Sequence, residues 1–436
     1  MNEPLEVPSW YEQGLPHVWL PYCQMKVAPP PSPVVRTHGC RIVLADGREL
    51  IDGIASWWSV CHGYNHPHIR EAVERQLRAM PHVMFGGFTH APAERLAERL
   101  AALLPGDLNH AFFTDSGSVA VEVAMKMAVQ AWLNRGEQGR TRFLAFREGY
   151  HGDTLGAMSV CDPDESMHAH FGDWLPRQVF ADLPRDAAGE AALDAVLAEH
   201  APTLAAVILE PLIQGAGGMR LHTPQTLAAV ARLARRHGLL LIADEIFTGF
   251  GRTGSLFACE QVGPGSNGIV PDIVCLSKAL TGGTLPLAAT VATEAVFETF
   301  WSDDPSKALM HGPTFMANPL ACAAANASLD LFETEPRVAQ GAALEAPLRA
   351  GLEPCRALPG VVDVRAKGAV GVVQLASAPD REALKRDFVE KGVWIRPFGD
   401  VVYLAPALNI AADDLAVLTS AVCSVLAKHA APASKV

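Results

Sequence analysis

Two charged residues stand at the ends of two short apolar runs in the middle of the chain. Asp244 follows Leu239-Leu-Leu-Ile-Ala243, and Lys278 follows Ile273-Val-Cys-Leu-Ser277 and precedes Gly282 and Gly283. Each run is too short for a helix and reads as a strand covered on both faces. A charge at the end of a buried strand is costly unless something pairs with it. An acid and an amine placed this way suit one ligand that needs both. Desolvation lowers a lysine's pKa, which makes Lys278 available as nucleophile and base. Asp244 is suited to hold a proton on a ring nitrogen. A cap or turn is the ordinary alternative for an aspartate, but Ala243-Asp-Glu-Ile246 offers no obvious helix start.

Three further segments extend the site. Asp115-Ser-Gly117-Ser118, followed by Val-Ala-Val-Glu122, reads as strand end, small-residue turn and helix start. Free N–H groups and the helix dipole make such a start an anion cradle, and Ser118 adds a hydroxyl. A plain serine N-cap has the same pattern. Tyr150, between Gly149 and His151-Gly152, sits on a loop where its ring can stack on a flat ligand or pack on the surface. Pro313 and Thr314 lie on a stiff His311-Gly-Pro-Thr turn, which offers a second phosphate hydroxyl or simply a turn. An amine, an acid, an anion cradle and a stacking ring match the needs of pyridoxal 5'-phosphate. Two other patterns are weaker. Gly249-Phe-Gly-Arg-Thr-Gly254 has dinucleotide spacing, but no clear helix follows it. Cys61, His62, His66 and His68 are metal-ligand types, but Gly63 and Pro67 break any helix that would align them.

These residues need a scaffold that gathers strand ends. From about Tyr64 to Thr334, helices (Ile69–Met80, Ala91–Leu104, Val119–Asn134, Pro224–His237) alternate with short strands (Arg142–Phe146, Leu204–Glu210, Leu239–Asp244, Asp272–Leu276). Such alternation predicts an α/β fold with a mostly parallel sheet. Past Glu335-Pro336 the pattern becomes helix (Val338–Leu352), strand pair, helix, strand and last helix, a smaller α+β domain with a frayed tail at Ala430–Val436. The predicted division is residues 1–63 as an N-terminal segment joining the small domain, 64–335 as the large domain and 336–436 as the small one. Asp46-Gly47 predicts a hairpin between Cys40–Ala45 and Arg48–Asp52, with both central residues at positive φ.

Bulk properties agree with a packed enzyme: 436 residues, 49% hydrophobic and 19% charged. A net charge of −12 with no Lys/Arg stripe argues against a nucleic-acid partner. No signal segment and no run of membrane length stand out, so a cytoplasmic protein is expected. Nine cysteines without Cys-x-x-Cys suit a reducing compartment.

With these residues in hand, the chain resembles the class III aminotransferases among the fold-type I pyridoxal-phosphate enzymes, from about Trp19 to Ala407. The closer motif agreement lies in Trp19-Leu-Pro-Tyr22, Ser56-Trp-Trp58, Cys61-His-Gly-Tyr-Asn-His-Pro67, His311-Gly-Pro-Thr-Phe-Met316 and Arg396-Pro-Phe-Gly399. It points to the branch that carries amino groups from S-adenosyl-L-methionine to 8-amino-7-oxononanoate in biotin biosynthesis. The resemblance implies that Lys278 bonds the cofactor's aldehyde, Asp244 partners its ring nitrogen, Gly117 and Ser118 cup its phosphate and Tyr150 stacks on its ring. It implies that Pro313 and Thr314 reach a second subunit's phosphate, hence a homodimer with shared sites. Tyr22, Trp57 and Trp58 are implied as the substrate wall, Arg396 as the partner of the oxononanoate carboxylate, and Asp153 and Tyr403 as pocket lining. Cys23 stands where a small hydroxyl residue is expected, and Gly263–Gly268 is longer than the pattern. Lysine as donor, another class III ω-aminotransferase, and a decarboxylase or aminomutase of the same fold are the alternatives.

Overall fold

The structure is a computed structural model that describes residues 8–164, 168–262 and 268–429. The expected frayed tail and residues 263–267 of the longer segment lie outside the described residues. Seven strands make the central sheet: β1 (Leu108–Thr114), β2 (Arg142–Phe146), β3 (Val179–Ala181), β4 (Leu204–Leu209), β5 (Leu240–Asp244), β6 (Ile273–Leu276) and β7 (Ala288–Thr293). Their spatial order is β1-β7-β6-β5-β4-β2-β3. Only β7 runs antiparallel to its neighbours, so the sheet is mostly parallel, as the alternation predicts. β1, β2, β4, β5 and β6 therefore point the same way, and their C-terminal ends open on one edge. In open α/β sheets that edge is where ligands bind.

The strands lack polar–apolar alternation because both faces are covered. Along β5, Leu241 and Ala243 join one core cluster while Leu240 and Ile242 join the other. The second cluster is dominated by helix α1 (Gly117–Asn134), whose Ala120, Val123, Ala124 and Ala128 let it lie close against the sheet.

The two ends of the chain meet beside this sheet. Glu49–Asp52 pairs antiparallel with Arg41–Leu44 and parallel with Val393–Trp394, with Ile51 opposite Val393. Val361–Lys367, Val370–Leu375 and Val401–Leu404 form a separate antiparallel sheet. Two local expectations fail. In the hairpin only Gly47 takes positive φ, at 82°; Asp46 does not, because Leu44 and Arg48 bond across a three-residue loop and the Asp46 side chain accepts from Arg48 N at 3.0 Å. The helix expected over Val338–Leu352 is two, Arg337–Ala343 and Glu345–Leu352. Pro347 has no N–H for the Ala343 carbonyl and would collide with it, so the first helix stops there.

Candidate active site

Five strand ends build one pocket. β5 delivers Asp244, β6 leads into Ser277 and Lys278, and β1 leads into the start of α1. β2 leads into the loop carrying Tyr150, His151 and Gly152, and β4 ends beside Glu210; Trp58, Ile246 and Phe247 close the sides. Lys278 adopts φ 50°, an uncommon conformation for a side-chain-bearing residue. Its Nζ lies 4.3 Å from the centroid of Trp58 and, among the described residues, has no hydrogen-bond or ion-pair partner. Burial lowers its pKa to about 8, against the raising influence of Asp244, Glu210 and Asp153.

Asp244 is buried and doubly held. One oxygen lies 2.7 Å from His151 Nδ1, and the other accepts from Ile246 N at 3.1 Å. Burial opposes a charge on His151, but the bond and charge of Asp244, with Glu210 behind them, outweigh it and hold the imidazole above its ordinary value. Glu210 accepts from Tyr150 N at 3.0 Å and Gly215 N at 2.9 Å. Burial pushes its carboxyl up to about 7. His151 and Glu210 were not anticipated from the sequence. Glu210 carried the same signal as Asp244, a carboxylate ending an apolar run.

The cap of α1 is Ser116, not Ser118: its hydroxyl accepts from Val119 N at 3.3 Å. The N–H groups of Gly117 and Ser118 are left without a partner among the described residues, at the head of an 18-residue helix. The Ser118 hydroxyl accepts from Asp153 N at 3.1 Å. A Cβ on Gly117 would lie 3.0 Å from Ile246, and one on Gly152 would lie 2.2 Å from the Ser118 hydroxyl. Two glycines thus keep the cradle open. An anion-binding helix start, a buried carboxylate and an unpaired amine in one pocket fit a pyridine ring that bears a phosphate and an aldehyde.

A second group of residues stands beside this floor. Asp153 accepts from the hydroxyls of Tyr22 and, at 3.0 Å, Tyr150, and pairs with His168 at 3.0 Å. Burial pushes the Asp153 carboxyl up, but these bonds prevail and hold it below its ordinary value. The Arg396 guanidinium lies 4.7 Å from the Trp57 ring centroid and 5.8 Å from that of Tyr22. Burial lowers its pKa, and among the described residues it has no hydrogen-bond or ion-pair partner. Trp58 sits 4.3 Å from Phe247 and 6.1 Å from Tyr403, so it belongs to floor and wall at once. Ala55, Ser56, Trp57 and Trp58 all take positive φ, 47°, 48°, 57° and 71°. Left-handed helical backbone costs about 1–2 kcal/mol per such residue.

Pro313 and Thr314 do not line this pocket. Thr314 is exposed, and the turn before it rests on Lys126, whose Nζ bonds Met310 O at 2.8 Å and contacts His311 Nδ1 at 3.2 Å. Cys23 is half-buried, its sulfur 3.7 Å from Leu20 O. In the glycine-rich segment Arg252 is buried and donates to Pro406 O at 2.7 Å. His62 is occupied by Ser328 and Arg337.

Residues 22–426 match the family described as aminotransferase class-III. The adenosylmethionine-8-amino-7-oxononanoate aminotransferase of Mycobacterium leprae (strain TN) is 47% identical over 418 residues, 94% of each chain. The crystal structure of an enzyme of that name from Methanocaldococcus jannaschii DSM 2661 has a TM-score of 0.90 at 32% identity, covering 96% of this chain and 98% of that one. An (S)-enantioselective omega-transaminase from Thermomicrobium roseum gives 0.88 at 31%, covering 96% and 97%.

Proposed function

The chain belongs to the class III aminotransferase family, and from that premise we propose that it transfers an amino group from S-adenosyl-L-methionine to 8-amino-7-oxononanoate, giving 7,8-diaminononanoate in biotin biosynthesis. Relatives bearing that name, at up to 47% identity over nearly the whole chain, support the reading. The structural observation that carries it is Arg396. Trp57 bears this open guanidinium on its ring, and the next residue, Trp58, bears the Lys278 amine. Adjacent tryptophans thus join a reacting amine to an anchor whose forked donors suit a carboxylate.

Pyridoxal phosphate, when bound, supplies an aldehyde that captures the amino group and a ring that takes up an electron pair. The remaining tasks fall to the chain's own residues. The N–H groups of Gly117 and Ser118 would hold the phosphate. Asp244, backed by His151, would keep the ring nitrogen protonated, and Tyr150 would cover the ring. Lys278 Nζ would take the proton from the donor's amine-bearing carbon in the first half-reaction and deliver one to C7 of the acceptor in the second. Arg396 would fix the acceptor's carboxylate while Tyr22, Trp57, Asp153 and Tyr403 shape the space between. Pro313 and Thr314, which do not line their own pocket, would serve a partner's phosphate in a cytoplasmic homodimer.

The likeness to the Thermomicrobium roseum omega-transaminase favours a second reading, a broader amine donor or acceptor, including lysine as donor. Cofactor-loaded protein presented separately with S-adenosyl-L-methionine, lysine and ornithine separates the two. Bleaching of the aldehyde absorbance by S-adenosyl-L-methionine, then formation of 7,8-diaminononanoate on adding the acceptor, is expected. Bleaching only by another amine would overturn the proposal.

A further inference from the structure

The left-handed run Ala55–Trp58 contains no glycine, so nothing intrinsic to its residues keeps it in that conformation. Two backbone bonds close it, Trp58 N to Ile54 O at 2.8 Å and Ser59 N to Ala55 O at 2.9 Å, and a neighbouring side chain holds it. Asp52, 2% exposed, directs one carboxylate oxygen to Ile54 N at 2.9 Å and the other to Ser56 N at 2.7 Å and the Tyr64 hydroxyl at 2.7 Å. The two amide bonds tie Ile54, just before the left-handed run, and Ser56, its second residue, to one side chain. The next residue, Gly53, bridges the segments that carry the rest of the wall: its N–H donates to Trp394 O at 2.9 Å, and its carbonyl accepts from Ala405 N at 2.7 Å. Trp394 lies two residues before Arg396, and Ala405 two after Tyr403. A Cβ on Gly53 would lie 3.0 Å from Leu404 and 3.2 Å from Ile395, so a side chain here would crowd both.

We propose that Asp52 is the positioning residue of the substrate wall: its carboxylate holds the left-handed turn that sets Trp58 against Lys278 and Trp57 against Arg396. The inference rests on the proposed function for its kinetic consequence but not for its geometry. Among the described residues Asp52 makes no hydrogen bond to Lys278, Asp244, Gly117 or Ser118, which would hold the cofactor. Its loss should therefore separate substrate fit from cofactor binding.

The test compares Asp52→Asn with wild type, both loaded with pyridoxal phosphate. Asparagine keeps the shape but can accept through only one atom, so one amide of the turn loses its partner. Hydrogen exchange should quicken over residues 54–58 and stay unchanged over the start of α1, and cofactor content should match wild type. KM for 8-amino-7-oxononanoate should rise at least about tenfold, because small misplacements of positioning groups carry large kinetic costs. The half-reaction with a short alkylamine, which needs no wall, should change less than about twofold by the same reasoning. Unchanged exchange, unchanged KM, or an equal loss with the alkylamine would each overturn the role. Tyr64→Phe, which removes one donor and leaves both amide bonds, should move KM the same way by a smaller factor. If Asp52→Asn does not fold, an unchanged KM in Tyr64→Phe overturns the proposal instead. Failure of wild type to turn over the acceptor would sink the proposed function, while the exchange result would still decide the role of Asp52.

Discussion

Lys278 and Asp244 follow strands whose backbone bonds are complete on both sides, whereas Trp57 and Arg396 stand on a left-handed turn and a loop held by scattered side-chain and backbone bonds. β5 is flanked by β4 and β6 in parallel register, with Asp244 opposite Cys275, so the carboxylate's position is set by the sheet itself. The turn at Trp57 has no ladder; it is closed by its own bonds, Trp58 N to Ile54 O at 2.8 Å and Ser59 N to Ala55 O at 2.9 Å, and held from outside by Asp52. Chemistry shared by a whole family can reside in the ladder. Under the proposed function, specificity would reside where a few side chains can be exchanged without disturbing the sheet. The likeness to transaminases of different names at TM-scores of 0.90 and 0.88 agrees with this division.

The most severe break of the comparison is on the floor. Lys278→Ala should retain cofactor, because Gly117, Ser118 and Asp244 are untouched, and should lose turnover by about 10⁴-fold or more, the scale of losing a general acid–base group. Single-turnover absorbance with each donor measures it. Near-normal turnover would mean that the proton is carried by another group.

The floor was also the more legible half. A charge closing an apolar run marked both Asp244 and Lys278, and the mostly parallel sheet followed from the alternation of helix and strand. The partners of these charges were less visible. His151 and Glu210 come from other strands, so their approach to Asp244 depends on sheet order, which no local pattern carries. Ser116 rather than Ser118 caps α1 because the helix starts two residues earlier, at Gly117, than the apolar pattern suggests. The wall was legible only as residue types. Ala55-Ser-Trp-Trp58 has no glycine to announce positive φ, and the side-chain bond that helps hold it comes from Asp52, outside the run.

On the wall the expected loss is smaller and more selective. Arg396→Ala removes at least one charge-assisted bond worth about 1.5–3 kcal/mol, so kcat/KM for 8-amino-7-oxononanoate should fall at least about 10–100-fold. The half-reaction with the donor should fall less. Equal losses in both halves would show that Arg396 shapes the pocket rather than binding the acceptor's carboxylate.

A pH series sharpens the contrast without mutation. Lys278 titrates at about 8 in the cofactor-free protein because burial opposes its charge. Reductive trapping of a small aldehyde on Lys278 should therefore rise with pH and level off above 8, being about tenfold slower at pH 7 than on the plateau. An unfolded lysine titrates near about 10.4. Between about 8 and that value the unfolded chain holds more protons than the folded one, so stability of the cofactor-free protein should rise with pH across the window. Thermal melts from pH 8 to 10 check the sign. A plateau reached only near pH 10 would mean that the amine is not desolvated.

The smallest effect is expected at the edge of the wall, where Cys23 follows Tyr22. Tyr22 takes φ 53°, which turns the chain sharply at the residue whose hydroxyl reaches Asp153. The Cys23 sulfur faces its own segment, 3.7 Å from Leu20 O and 3.8 Å from the Met25 sulfur, rather than Trp57 or Arg396. A serine hydroxyl can keep the bond to Leu20 O and leaves the Tyr22 turn untouched. Cys23→Ser should therefore change KM for either substrate by less than about twofold, the scale of a substitution that keeps its hydrogen bond. A larger rise confined to one substrate would extend the wall to Cys23 and show that the Tyr22 turn, like the Trp57 turn, is tuned from a neighbouring side chain.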